Sequence, residues 1–487
     1  MNTKILKQKI LDLAIRGKLT QQLKSDGTAK DLLKQISEQK RESSSTLSSP
    51  RRRGSPSAQS EKNIIPLDKN EAPFEIPANW EWVRLGDLMS KVGAGSTPSG
   101  GRNIYEPSGV KFIRSQNVYN EGLRLDDVVY INESIHKQKQ NSKVVGNDLL
   151  LNITGASIGR CAIVPDDFDE ANINQHVLIL RLINFKLLKY VHLAITSQFV
   201  FRQIMGAQVG GTKEGLSAER AKELQIPLPP LAEQQRIVEK IQEAFAEIDS
   251  IENNKELLKT HIKQARQKIL DLAIHGKLVP QNKTDEPASV LLERITRDNP
   301  HYEKLTDVPF EIPDSWEWVK LGNIGKWQSG TTPSKSNSSY YKDGTIPWLN
   351  TGDLNDGIIR EIPKKITEKA LAETSLRLNE AGSVCIAMYG ATIGKIGILP
   401  MPATTNQACC VCNNLKNFVN QMWLFYFLKN HKQEFIEAGF GGAQPNISKE
   451  KITATPFPLP PLAEQKRIVD RIEEIFVSLD EISLHLV

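Results

Sequence analysis

Between residues 227 and 280 the apolar side chains recur at alternating intervals of four and three. They run Ile237, Ile241, Ala244, Ile248 and Ile251, then Leu258, Ile262, Ala265, Ile269 and Leu272, and only Lys255 interrupts the row. A heptad period held over this span predicts a coiled-coil helix rather than an ordinary surface helix. Pro229 and Pro230 bar helix before Leu231, and Gly276 supplies a stop. At about 1.5 Å per residue such a rod reaches roughly 65–70 Å. Its apolar seam needs a partner of similar length.

The chain carries that partner in two pieces. Pro458-Leu459-Pro460-Pro461-Leu462-Ala463-Glu464-Gln465-Lys466-Arg467-Ile468-Val469 repeats 227–238 with one change, and the seam continues through Ile468, Ile472, Ile475, Leu479, Ile482 and Leu486. At the other end, Gln8-Lys9-Ile10-Leu11-Asp12-Leu13-Ala14-Ile15-Arg16-Gly17-Lys18-Leu19 repeats 267–278, so that Leu6, Ile10 and Leu13 match Ala265, Ile269 and Leu272. Read as a circle, the chain is a tandem duplication opened inside one copy of the rod. An antiparallel arrangement of the rods would bring Val487 near Met1.

Between the rods lie two blocks in which the hydrophobic period shortens to that of strands. The first opens Trp80-Glu81-Trp82-Val83 and the second Trp316-Glu317-Trp318-Val319. Each then passes a Gly-x-Thr-Pro-Ser turn, at 95–99 and 330–334, and an Ile-Gly-basic turn, Ile158-Gly159-Arg160 and Ile393-Gly394-Lys395. Short apolar runs at 110–113, 149–153 and 177–182, separated by Gly, Asn and Asp, predict strands. Helices are expected near 186–205 and 416–437, each followed by a glycine-rich loop. The four tryptophans are assigned to core packing. The fold class is therefore α/β (mixed α+β), with the frame of the two blocks repeated. Matched polar positions differ: Arg114-Ser115-Gln116-Asn117 stands against Asn350-Thr351-Gly352-Asp353, and Lys213-Glu214-Gly215 against Gln444-Pro445-Asn446.

Composition narrows the classes. A net charge of +5 over 487 residues permits a nucleic-acid partner without demanding one. No apolar run approaches a membrane span, and the amino terminus reads as a charged amphipathic helix. Cys161, Cys385, Cys409, Cys410 and Cys412 contain no CxxC pair, which points to buried, reduced thiols and a cytoplasmic setting. Residues 41–63, rich in Ser and carrying Arg51-Arg52-Arg53, have no counterpart in the second copy and read as a linker.

These motifs, namely Pro-Leu-Pro-Pro-Leu-Ala-Glu-Gln at both rod starts, Ile-Leu-Asp-Leu-Ala-Ile-x-Gly-Lys-Leu, and the paired turns of each block, resemble the specificity subunits of type I restriction–modification systems over nearly the whole chain. The resemblance implies two target-recognition domains joined by an antiparallel pair of helices, each reading one half of a split, asymmetric site in double-stranded DNA. It also implies two methyltransferase subunits docked on the rods, with restriction subunits added in the full complex. The expected layout is 1–40 as the N-terminal helix completing the distal rod, 41–70 linker, 71–226 first recognition domain, 227–305 central helix and connector, 306–457 second recognition domain and 458–487 distal helix. S-adenosylmethionine, ATP and Mg are expected in the partner subunits and no cofactor or metal in this chain.

Catalytic motifs do not assemble in the sequence. Asn299-Pro300-His301-Tyr302 lacks the second proline of an amino-methyltransferase motif. The 390–395 segment is one residue short of a phosphate loop and lacks its Ser/Thr. Asp166, Asp167, Asp169 and Glu170 have no lysine at nuclease spacing and read as an acidic turn, and the histidines show no nucleophile arrangement. Two alternatives to a non-catalytic DNA-recognition subunit remain: a self-sufficient nuclease or methyltransferase, and a coiled-coil scaffold that binds only proteins. For base or phosphate contact the candidates are side chains that donate and accept hydrogen bonds. In the first block they are Thr97, Lys111, Arg114, Gln116, Asn117, Arg160, Gln175 and Lys213. In the second they are Thr332, Lys335, Asn350, Lys395, Gln407, Gln444 and Asn446.

Overall fold

The computed structural model describes residues 2–46, 64–68, 72–207, 215–298, 305–415, 417–439 and 446–486. It divides into two compact units, Met1–Asn254 and Lys255–Val487. The division falls inside one uninterrupted helix, Leu231–Ile274, whose 44 residues span about 66 Å.

In the first unit the head is built on two four-stranded sheets, with a small two-stranded one, Val118–Tyr119 against Gly122–Leu123, beside them. One has the order Met89–Ala94, Val177–Leu182, Leu149–Asn152, Cys161–Ile163 and is antiparallel throughout. The other runs Val129–Ile131, Val110–Ile113, Ala171–Ile173, Lys143–Val144, with a parallel central pair. The run 177–180 is apolar at every position because both faces of its sheet are covered. Leu178 and Leu180 enter a core with Leu149, Leu151 and Tyr190 of the helix Leu188–Thr196. Val177 and Ile179 enter a second core with Leu150, Ile113 and Ile173. Successive side chains of a strand point to opposite faces, so two cores require an unbroken hydrophobic run.

The second unit repeats this plan. A five-stranded sheet has the order Lys326–Ser329, Cys409–Asn413, Val384–Ala387, Ile396–Ile398, Gly357–Ile358, and a three-stranded one the order Lys365–Ile366, Ile346–Leu349, Thr404–Thr405. The same alternation explains the cysteines. Cys410 and Cys412 pack in the larger core beside Trp423, whereas Cys409 and Cys385 pack in the smaller one. All five cysteines are free and buried. Desolvation pushes the Cys410 thiol up to about 12, which makes it a poor thiolate and a plain core side chain.

In both units the strand that enters the head pairs with the strand that leaves it: Glu81–Arg84 with Gln225–Leu228, and Glu317–Lys320 with Pro456–Leu459. This ribbon delivers the chain to the repeated Pro-Leu-Pro-Pro-Leu-Ala-Glu-Gln motif, each part of which fastens head to helix. Gln234 donates to Pro229 O at 2.8 Å, and Gln465 to both Pro460 O and Phe418 O at 2.9 Å. Glu233, fully buried, accepts from Trp80 Nε1 at 2.8 Å, Thr20 Oγ1 at 3.0 Å and Gln22 Nε2 at 2.8 Å. Its counterpart Glu464 accepts from Gln281 at 2.6 Å. Arg236 grips Asp26 through two nitrogens at 2.8 and 2.6 Å, and the guanidinium holds that carboxyl below its usual range. Arg467 grips Asp285 in the same way. Gly17 and Gly276 adopt φ near +66°, and a Cβ at either would meet Pro77 or Pro313 at 2.4 Å. Only glycine lets the helix end that close to the head.

The N-terminal helix, Thr3–Ile15, runs opposite in sense to the first half of the long helix: Thr3 meets Glu252 at 3.1 Å, and Lys7 pairs with Asp249 and sits over the Phe245 ring. The C-terminal helix, Leu462–Leu484, likewise runs against the second half, with Arg266 reaching Asp480 at 2.6 Å.

The expected seam is met in part. Ile237, Ile241, Ile248, Ile262, Ile468 and Ile472 are buried, and Leu6, Ile10, Ile269, Leu272, Ile475 and Leu479 half-buried. Leu13, Ile251, Leu258 and Ile482 are exposed, which corrects their assignment. The N-terminal helix turns Leu11, Ala14 and Ile15 to the head core, an i, i+3, i+4 face that rotates Leu13 outward. Around Ile251 and Leu258 the long helix has moved beyond the heads' packing, and every residue from 249 to 261 except Lys255 is exposed.

The linker expectation also shifts. The helix Ala29–Thr46 continues past residue 40, and Leu67 is buried with its N–H bonded to Trp82 O at 2.9 Å. The expected apposition of Met1 and Val487 falls outside the described residues. Trp80, Trp82, Trp316 and Trp318 are buried in the cores.

Candidate nucleic-acid interface

Strand direction gathers four loops at one end of each head. In the first, Val177–Leu182 begins where Met89–Ala94 and Leu149–Asn152 end. The parallel strands Val110–Ile113 and Ala171–Ile173 end together. The loops after residues 94, 113, 152 and 173 therefore meet. Backbone bonds lock them: Gly95 N to Val177 O, Asn174 N to Ile113 O and Ile153 N to His176 O. Ends of parallel strands are where α/β folds place ligands.

Side chains make a connected polar surface there. Thr97 bonds Gln175, Gln175 reaches His176 at 3.3 Å, and His176 meets Thr154 Oγ1 at 2.7 Å. Beside them, the Tyr119 ring carries the guanidinium of Arg124 at 3.8 Å and that of Arg160 at 4.6 Å. Arg114 donates to Asp127 O at 3.1 Å, leaving its Nε buried with no hydrogen-bond partner. Gln116 bonds the Asp127 carboxylate.

The second head repeats the geometry with other residues. Thr332 bonds Gln407 as Thr97 bonds Gln175. Thr331 N donates to Thr405 O and Asn406 N to Leu349 O. Asn350, on the loop after Ile346–Leu349, donates to Trp348 O at 3.2 Å. Tyr389 bridges Asn446 where the first head has Thr154 against Gly215. Gly330 is essential to this closure: a Cβ there would sit 2.1 Å from Thr405 O.

Most sequence candidates thus fall on the loop ends: Thr97, Arg114, Gln116, Arg160 and Gln175 in one head, and Thr332, Lys335, Asn350, Lys395, Gln407 and Asn446 in the other. Two do not fit. Asn117 is fully buried, accepts from Arg114 N, and donates to Arg124 O and Asp127 Oδ1. Its amide is consumed in shaping the loop, so it is a positioning residue rather than a base reader. Lys111 lies back in a strand, pairs with Asp169 and packs over Phe168. Lys213 and Gln444 lie outside the described residues. Sequence reading missed Tyr119, Arg124, Thr154 and His176. The position of His176 beside Gln175 was the available signal, whereas the Tyr119–arginine cluster joins residues whose separation carried none.

Chemistry elsewhere is accounted for. Asp169 pairs with Lys111, and Glu170 with Lys143 and His136. Lys143 holds the Glu170 carboxyl below its ordinary range. The 390–395 turn joins two antiparallel strands rather than leading from a strand into a helix as a phosphate loop does. No group of three metal-ligating side chains occurs among the described residues, and none of their helices is long and apolar enough to cross a membrane.

Two like heads, each with a polar loop surface and a different set of side chains, define a duplicated recognition protein. The chain belongs to the type I restriction modification DNA specificity family, whose domain model matches residues 77–260 and 313–483. It is 24% identical to the type I restriction enzyme EcoAI specificity subunit of Escherichia coli over 98% of this chain and 90% of that protein. To the EcoEI specificity subunit of the same organism it is 23% identical over 99% and 90%. Its fold is like that of the HsdS subunit from Thermoanaerobacter tengcongensis, with a TM-score of 0.55 at 18% identity, covering 85% of this chain and 94% of that one.

Proposed function

We propose that this chain is the non-catalytic DNA-recognition subunit of a type I restriction–modification complex, in which each head reads one half of a bipartite, asymmetric site. The observation that carries the reading is the matched pair of loop surfaces. The frame and the Thr–Gln bond repeat, while Arg114 corresponds to Asn350, Arg160 to Lys395 and His176 to Ala408. Arg, Gln, Asn and Lys are the side chains that discriminate base edges in the major groove. The two units are read as copies of one circularly permuted module, with the antiparallel helices forming a coiled-coil spacer that fixes the half-site separation. The exposed Ile251 and Leu258, together with the rods, support docking of two methyltransferase subunits. Restriction subunits, S-adenosylmethionine, ATP and Mg belong with those partners, and the setting is the cytoplasm.

The test is a head exchange. With residues 71–226 replaced by another family member's head, the chain and its methyltransferase partner are used to select random duplex DNA, and the retained fraction is sequenced. One half-site changes and the other stays. Change in both, or in neither, refutes independent reading.

A further inference from the structure

The second head carries a basic cleft whose lysines have no charged counterpart at the matching positions of the first. It measures about 320 Å³ and is lined by Lys335, Tyr341, Trp348, Lys364 and Lys365, with no carboxylate. The aromatic floor is internally satisfied. Trp348 Nε1 donates to Thr331 O at 3.1 Å, Tyr341 OH donates to Pro333 O at 2.5 Å, and the two rings meet edge-on at 5.9 Å. Trp348 N also donates to Lys364 O at 2.8 Å, which ties the lysine strand to the floor. The rim is different: all three lysines are exposed, and no ion pair engages them among the described residues. Three cations around one cleft repel each other unless an anion joins them.

The cleft is built from the recognition surface itself. Lys335 follows Thr332, which bonds Gln407, and Thr331 anchors both Trp348 and the Thr405 backbone. Strand register identifies the matching positions in the first head. Ile346 pairs with Ile366 as Val110 pairs with Ile131, so Lys364 and Lys365 correspond to Val129 and Tyr130. Lys335 follows its Gly-x-Thr-Pro-Ser turn where Gly100 follows the other. None of these three is charged.

We propose that the Lys335, Lys364 and Lys365 cleft seats a phosphodiester of the DNA backbone beside the half-site read by the second head, a grip the first head lacks. This rests on the DNA-recognition reading above. The contact fixes register and carries no sequence information of its own. Free inorganic phosphate presents the same chemistry, so the test separates the two sources.

The chain in complex with its methyltransferase partner is titrated with duplex carrying its selected site, across a range of salt. In K335Q/K364Q/K365Q the slope of log Kd against log salt falls by about 1 for each phosphate released, while base preference in both half-sites is retained. A control, K186Q/K189Q/K283Q, removes the same charge from exposed lysines off both the rods and the recognition loops and leaves the slope unchanged. Lysine acetylation is followed in parallel: duplex protects Lys335, Lys364 and Lys365, and millimolar inorganic phosphate does not. Equal slopes for wild type and the cleft variant, or protection by phosphate but not by duplex, overturn the cleft assignment alone. Absence of any sequence-preferring binding by the wild-type complex overturns the recognition reading and this inference with it.

Discussion

Replacing Glu233 with Ala removes the carboxylate on which the first head and its helices converge. Its three donors respond differently. Thr20 is half-buried and Gln22 exposed, so both can turn to water. The indole N–H of Trp80 cannot, because the ring is only 3% exposed. A buried donor left unmet costs about 1–3 kcal/mol, and the lost bonds to a charged acceptor bring the total to roughly 3 kcal/mol. At about 1.4 kcal/mol per tenfold, this is roughly a hundredfold more frequent opening of the head–helix junction. A melting curve would mix the two units, so the suitable assay is native-state hydrogen exchange resolved over 3–15, 80–85 and 231–241. Those segments should lose protection while 462–476, fastened by Glu464 in its own unit, stays unchanged. A cycle with Trp80→Phe should show coupling of about 1–2 kcal/mol, since the phenylalanine has no N–H to strand. Protection within threefold of wild type in E233A, or zero coupling to Trp80, would refute the clasp.

Gly330→Ala should force the 330–335 loop away from Thr405, at roughly 1–3 kcal/mol, and DNA selection should show loss of the second half-site with the first intact. Glu464 has its carboxyl raised above the ordinary 4.5 by burial foremost. The folded state therefore holds the proton more tightly, and this group's contribution to stability declines as pH rises from about 4.5 through the folded value. Glu464→Gln should remove that decline, so its stability relative to wild type improves between pH 4.5 and 7; a relative loss over that range would contradict the argument. Expressed separately, 1–254 and 255–487 should each fold with native exchange protection in the head cores, whereas a chain starting at residue 20 should expose Trp80 and Leu33 to exchange and quenchers.

The sequence by itself determined much of this protein. The long helix was legible from proline, glycine and a sustained heptad. The strands 110–113 and 177–182 were legible from short apolar runs between turn residues, and the duplication from repeated motifs. These signals are local, or depend on identity between copies. The tertiary structure decided which side of each pattern faced a partner. Leu13 and Ile251 obey the heptad yet lie exposed, because the head core draws the N-terminal helix by Leu11, Ala14 and Ile15 and ends before residue 249. Asn117 reads as a surface amide, but the convergence of Arg114, Arg124 and Asp127 buries and satisfies it. The lysine cleft brings residue 335 together with 364 and 365, a proximity fixed by strand register and invisible to spacing along the chain.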